Sequence, residues 1–211
     1  MPSSVRAKKF NWTSFIKSFP KHFPFHGTSY PWDLIYYAED HIHKILQTLG
    51  DDYALAEGLA IHATATIETN VIIKPPAIIG PGCFIAANCY LRGGVFLMGN
   101  NTLGPGCEIK TSILFPSSHF AHFNFVGDSV IGAMVNFEAG AITANHHNDK
   151  EEKEIIVLLM GKKFKTHTEK FGSLIGDHCK IGANAVLSPG TILTPKTVVK
   201  RLQLDDQQRK K

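Results

Sequence analysis

What the chain lacks narrows the field first. It has no run of about 18 apolar residues, so no segment is built to cross a membrane as a helix. Its 211 residues hold only four cysteines, Cys83, Cys89, Cys107 and Cys179, with no CxxC pair among them, which argues against a disulfide framework and a zinc ribbon alike. Free thiols are expected. The N-terminal segment carries Arg6, Lys8 and Lys9 but no apolar stretch of about 7–15 residues behind them, so it does not read as a secretory signal. A cytoplasmic location is the expectation. A dense basic stripe with interleaved aromatics, the footprint of a nucleic-acid domain, is also missing. Residues 150–211 hold 13 Lys/Arg against 7 Asp/Glu, whereas residues 1–149 hold 9 against 11. That imbalance suits a small polyanionic molecule.

What is there is a period of six. Ile61, Ile67, Ile73, Ile79, Ile85, Leu91, Leu97, Leu103 and Ile109 occupy successive sixth positions without a miss. After an interruption the spacing returns in Ile175, Ile181, Leu187, Leu193 and Val199, and Val126, Ile131 and Phe137 carry the register between the tracts with slips. Glycine often follows the aliphatic, as in Gly80, Gly104, Gly127, Gly132, Gly176 and Gly182. An amphipathic helix is excluded because the period is not 3.6 and Gly and Pro recur throughout. Six residues per short strand and three strands per coil predict an all-β fold, a parallel β-helix with the aliphatics inward and coils about 4.8 Å apart. The four cysteines share one slot, four residues after an aliphatic, and are expected inside.

Three segments fall outside the repeat. Residues 31–49 keep period 3.6, with Pro31 near the start and Gly50 past the end, and predict a helix capping the first coil. Residues 1–30 are rich in Phe and Pro without a period and read as an irregular arm packed on that helix or on a neighbour. Residues 145–171 break the count; Glu154 to Leu159 and Lys163 to Thr168 flank Met160-Gly161 and predict a β-hairpin thrown out of the solenoid, with a solvated surface. The expected organisation is therefore 1–58 arm and cap, 59–200 β-helix with insertion 145–171, and 201–211 a charged, frayed tail.

The chemistry-bearing residues follow from the same count. Lys74, Arg92 and Lys110 each follow an inward aliphatic and lie 18 residues apart, so they should stack on one edge of consecutive coils. Like charges that close are costly unless an anion covers them, which reads as a phosphate clamp; three cations splayed into water are the bland alternative. His122, among phenylalanines, reads from the residues alone as a packed surface histidine or as a base. The histidines His119, His122, His146 and His147 show no spacing typical of a zinc site, and no metal is expected.

The run Leu91-Arg92-Gly93-Gly94, then Glu108-Ile109-Lys110, then Ala121-His122-Phe123-Asn124-Phe125-Val126-Gly127-Asp128, then Val135-Asn136-Phe137-Glu138-Ala139-Gly140-Ala141-Ile142-Thr143-Ala144-Asn145 resembles the C-terminal acetyltransferase domain of the bifunctional enzymes that make UDP-N-acetylglucosamine. The likeness spans about residues 60–200. It implies a left-handed β-helix, a homotrimer and acetyl-CoA as co-substrate. It further implies that His122 is the general base, that Arg92 and Lys110 bind a sugar 1-phosphate with Glu108 and Phe125 on the substrate side, that Asn136 contacts the sugar and that Asn145 lies by acetyl-CoA. This chain departs from that pattern in Phe125, where the family has Tyr, and in Asn145-His146-His147-Asn148, where bacterial enzymes have Asn-Tyr-Asp-Gly. The insertion ending Phe171-Gly172-Ser173-Leu174-Ile175-Gly176-Asp177 resembles the archaeal versions. The 58 residues ahead of the repeats leave no room for the usual nucleotidyltransferase domain, so a separate nucleotidyltransferase chain is an expected partner.

The expected activity is CoA-dependent acyl transfer to a phosphorylated or nucleotide-linked amino sugar. The rival is a non-catalytic trimeric module that binds a sugar phosphate or a nucleotidyltransferase.

Overall fold

A computed structural model describes residues 10–19 and 30–207 as a parallel β-solenoid with material packed along one side. Each six-residue step yields a strand of two or three residues and a turn, and three steps close a coil. Face 1 holds Ile72–Ile73, the first parts of Tyr90–Leu97 and Glu108–Leu114, then Phe125–Gly127, Ile142–Thr143, Val186–Leu187 and Leu204–Asp205. Face 2 holds Leu59–His62, Ala77–Ile79, the second parts of those two long strands, Val130–Ile131, Ser173–Ile175 and Thr191–Leu193. Face 3 stacks seven parallel strands, from Thr66–Ile67 to Val198–Val199. The chain runs from face 3 through face 1 to face 2 in every coil.

The period-six aliphatics point inward and form one continuous core. Ile79, Ile85, Leu91, Leu97, Leu103 and Ile109 are all 0% exposed, each such burial contributing about 1.5–3 kcal/mol against an exposed reference. Phe120 and Phe137 occupy the same slot on face 3 and stack with ring centroids 4.7 Å apart. Cys83, Cys89, Cys107 and Cys179 are buried free thiols at the corners, as the spacing requires. Burial raises the pKa of Cys83, and that of Cys179 to about 11, while the hydrogen bond with Cys89 and then burial raise that of Cys107.

The slips have a local cause. Coil-to-coil registers of 18 residues hold from Ile73↔Leu91 to Leu91↔Ile109, then shorten to 17 at Ile109↔Val126 and Val126↔Thr143. The lost residue lies at the corner between faces 1 and 2. There Gly93-Gly94 is replaced, one coil on, by Thr111 alone and then by Asp128 alone, with φ of 45° and 46°. The insertion leaves from this same corner, at Asn145, and returns at Phe171, whose amide donates to the Asn145 carbonyl at 3.1 Å.

Face 2 is apolar on both sides. Its outward row of Ile78, Phe96, Ile113, Val130, Leu174 and Ile192 would otherwise meet water, and sheets covered on both faces read as continuous apolar runs. The cover corrects several expectations. The single helix of 31–49 is two, α1 (Pro31–Tyr36) and α2 (Ala38–Leu46), separated at Tyr37. Pro31 stands at the first helical turn and the Asp33 carboxylate accepts the Tyr30 amide at 3.0 Å. Instead of capping the first coil, α2 lies along the flank, where Ile42 and Ile45 pack on Ala60 and Ile78. The end of the stack is left with Ile61, Ile67 and Ile73 only half-buried.

The arm packs beside α1 on the later coils. Trp12, Phe15, Ile16 and Phe19 join Trp32, Ile113, Phe115, Val130, Leu174 and Ile192 in a second core. Phe23, Phe25 and the basic residues Arg6, Lys8 and Lys9 lie outside the described residues. The hairpin forms as expected, Ile156–Leu159 against Lys162–Lys165, turning at Met160-Gly161. Only one side is solvated, because Ile155, Val157 and Leu159 are buried in that second core.

The tail is not frayed through residue 207. Leu204–Asp205 pairs in parallel with Val186–Leu187, and Gln207 both donates to and accepts from the Ile192 backbone, at 2.6 and 3.2 Å. Asp205 fills the inward slot six residues after Val199 and is 3% exposed. Residues 208–211 lie outside the described residues.

Candidate functional site

The edge between faces 1 and 2 carries the basic column. Backbone pairing places Lys74 beside Arg92, and Arg92 beside Lys110, on successive coils. Lys74 is exposed and makes no ion pair among the described residues. Two of the three like charges have carboxylate partners within the chain. Arg92 Nη2 meets Glu108 Oε1 at 2.7 Å, with Nε on the same oxygen at 2.8 Å, and its guanidinium sits 5.7 Å from the Tyr90 ring centre. Lys110 Nζ meets Asp128 Oδ2 at 2.7 Å. The Lys110 side chain is 15% exposed and that of Asp128 6%, so this pair turns into the corner.

Asn145 reaches the same place. Its Nδ2 donates to Asp128 Oδ2, the oxygen that already takes Lys110. A Cβ on Gly127 would meet both the Asn145 amide and the Phe125 ring at 2.8 Å, so the glycine leaves the space in which those two side chains converge. Phe125 is paired with Glu108 across face 1. Behind the corner, Ser129 Oγ donates to the Gly127 carbonyl at 2.7 Å and lies 3.2 Å from Thr143 Oγ1, while accepting the Ser173 amide at 3.0 Å. Thus Arg92, Glu108, Lys110, Phe125 and Asn145 share one edge.

His122 and Asn136 do not join them within one chain. His122 sits at the corner between faces 3 and 1, exposed, with no side-chain hydrogen bond or ion pair among the described residues. Gly127, level with Lys110, is five residues on, so the two edges lie at most about 16 Å apart at a strand rise of about 3.3 Å per residue. Asn136 is exposed on face 3, one coil above His119. It lines a 460 Å³ groove with Glu138, Lys180, Lys200 and Arg201. In that groove Arg201 binds Glu138 through two 2.7 Å contacts, which with the Ala183 amide hold the Glu138 carboxyl down to about 2.

The altered turn after Asn145 serves the insertion. His146 Nδ1 lies 3.2 Å from the Glu169 carbonyl, and His147 Nε2 is 3.2 Å from Lys150 Nζ. Burial lowers the pKa of His147 and favours its neutral form. Among the described residues no three His, Cys, Asp or Glu side chains stand close enough to hold a metal ion, and no helix is long and apolar enough to cross a membrane.

The family description "Bacterial transferase hexapeptide (six repeats)" matches residues 60–93. The bifunctional protein GlmU of Methanococcus maripaludis is 38% identical over 174 residues, 81% of this chain. The chain belongs to the hexapeptide-repeat family. A bifunctional sugar-1-phosphate nucleotidylyltransferase/acetyltransferase of Sulfurisphaera tokodaii is 40% identical over 90 residues, 43% of the hexapeptide-repeat chain. The chain spans 42% of the length of the first of these relatives and 22% of the second. Among solved structures, the acetyltransferase domain of PglB from Neisseria gonorrhoeae in complex with acetyl coenzyme A gives a TM-score of 0.38 at 13% identity, over 68% of this chain and 51% of that one.

The residue missed in the sequence is Asp128. It stood in the quoted run without a role, and the signal that could have found it is the 18-residue count of the basic column, which leads from Lys110 to Asp128.

Proposed function

We propose that this hexapeptide-repeat protein transfers an acyl group from a CoA thioester to the amine of a phosphorylated or nucleotide-linked sugar. The observation that carries the reading is the convergence of Arg92, Lys110 and Asn145 on one edge, in a chain similar over 90 residues to a protein named as a bifunctional sugar-1-phosphate nucleotidylyltransferase/acetyltransferase. Arg92 and Lys110 would take the acceptor phosphate, each keeping donors free beside its carboxylate partner. His122 would remove a proton from the amine as its nitrogen attacks the thioester carbonyl carbon. As the tetrahedral intermediate collapses, the C–S bond breaks and the thiolate leaves, taking the proton from the imidazolium. A corner backbone N–H would steady the oxyanion.

Because His122 lies on the opposite edge of face 1, the reading needs the groove between two copies, and a homotrimer supplies it. The basic groove of Lys180, Lys200 and Arg201 suits the phosphates of CoA. The test is thiol release from acetyl-CoA with glucosamine 1-phosphate, for the unsubstituted protein and for His122→Ala. The substitution should lower turnover roughly 10²–10⁴-fold with the oligomer intact. Unchanged turnover would refute the role of His122.

A second reading has its own support: Phe125 offers no hydroxyl to a substrate, and the two groups of residues stay apart in one chain. A non-catalytic module would bind the sugar phosphate, or a separate nucleotidyltransferase chain, without releasing thiol.

A further inference from the structure

Lys110 and Asn145 meet only through Asp128, whose surroundings fix it more tightly than charge balance requires. Asp128 is 4% exposed, and a single oxygen, Oδ2, accepts from both Lys110 Nζ and Asn145 Nδ2. Its backbone is fixed just as firmly. The Asp128 amide donates to the Lys110 carbonyl at 2.8 Å, and its own carbonyl accepts the Gly172 amide at 2.8 Å, where the insertion rejoins the solenoid. Its φ of 46° is a conformation in which Asp is several-fold enriched over most residues. The backbone that carries the carboxylate is therefore fixed on both sides, and the two longer partners reach in to it.

We propose that Asp128 is a positioning residue that holds the Lys110 ammonium and the Asn145 amide in one register, so that acceptor phosphate and acyl donor meet in a single geometry. The proposal rests on the acyl-transfer reading. Two of the three Lys110 protons stay free for a ligand once Asp128 takes one, and their direction is set by that bond. A misplacement of about 1 Å at such a point costs on the order of 10²-fold in rate.

The test is a double-mutant cycle of Asp128→Asn and Lys110→Met, read in turnover and in Tm. Asp128→Asn should lower kcat roughly 10–100-fold while moving the acceptor KM less than about threefold, because the Lys110 charge remains. In the Lys110→Met background the same substitution should lower kcat by a clearly smaller factor, since the Lys110 contact is already gone and only Asn145 is left to be misplaced. Asp128→Asn alone should also lower Tm by leaving Lys110 half-buried and unpaired, and the double variant should recover most of that loss. Wild-type kcat in Asp128→Asn, or an equal fall in both backgrounds, would overturn the proposal while leaving acyl transfer standing. Coupled Tm values with no turnover by the unsubstituted protein would overturn the acyl-transfer reading, and the positioning role with it.

Discussion

Beside its apolar packing, the arm is hydrogen-bonded to the solenoid at one residue, Asp177, which makes its docking measurable. Asp177, at the corner between faces 2 and 3, is 7% exposed. Its Oδ2 accepts the Lys17 amide and its Oδ1 the Ala133 amide, both at 2.8 Å, while its own amide donates to the Phe15 carbonyl at 2.9 Å. Asp177→Ala deletes both acceptors and leaves the Ala133 amide without a partner. Hydrogen bonds to a charged group contribute about 1.5–3 kcal/mol each, and the Lys17 side is partly wet, so the loss should be about 3 kcal/mol. For a chain of this size that is a Tm lower by about 6–12 °C. Asp177→Asn keeps one acceptor and should lose about half as much. Both tryptophans of the chain, Trp12 and Trp32, sit in the second core, and Trp12 is stacked on Phe19 at 4.0 Å. Tryptophan fluorescence therefore reports the arm while far-UV circular dichroism reports the coils. In Asp177→Ala the fluorescence transition should move below the dichroism transition. A Tm within about 1 °C of the parent, with the two probes coincident, would show that the carboxylate does not hold the arm.

Two other perturbations follow from the coils themselves. Glu138 titrates at about 2 in the folded chain instead of near 4.5, through Arg201 first and the Ala183 amide second. A depressed carboxyl stabilises above its unfolded value, so this contribution should be complete above pH 4.5 and vanish as pH falls through about 2. Tm curves of the parent and Glu138→Gln should separate above pH 4.5 and converge near pH 2; parallel curves would count against the pair. Gly104 is the tighter constraint, since a Cβ there would stand 1.5 Å from the Ala121 carbonyl oxygen of the next coil. Gly104→Ala should cost more than about 4 kcal/mol and yield little folded protein, and a Tm near the parent's would contradict the coil spacing.

How much of this was legible in the sequence depends on which constraint each residue obeys. An inward aliphatic answers to one rule, burial every sixth residue, and so Ile61 to Ile109 could be read directly. The column of Lys74, Arg92 and Lys110 followed because an 18-residue coil carries any period-six position onto itself. Face 2 was harder, because its runs Ala77-Ile78-Ile79 and Val95-Phe96-Leu97 satisfy the inward rule and conceal a second one, that Ile78 and Phe96 also need cover. The last coil was hidden by a substitution of type: Asp205 stands in an aliphatic slot. The site resisted for a related reason. Thr111 and Asp128 each turn a corner with one residue fewer, so Asp128, which the 18-residue count places in the column after Lys110, stands one past the residue that the 17-residue ladder pairs with Lys110. That offset, one position past the Gly127 level with Lys110, turns the Asp128 carboxylate back toward the ammonium. The irregular corner is therefore also where the site residues gather, and the departure of the insertion at Asn145 brings the third of them to it. At that corner the repeat gives way to a buried carboxylate shared by two side chains, and departures of this kind are where a functional constraint is expected.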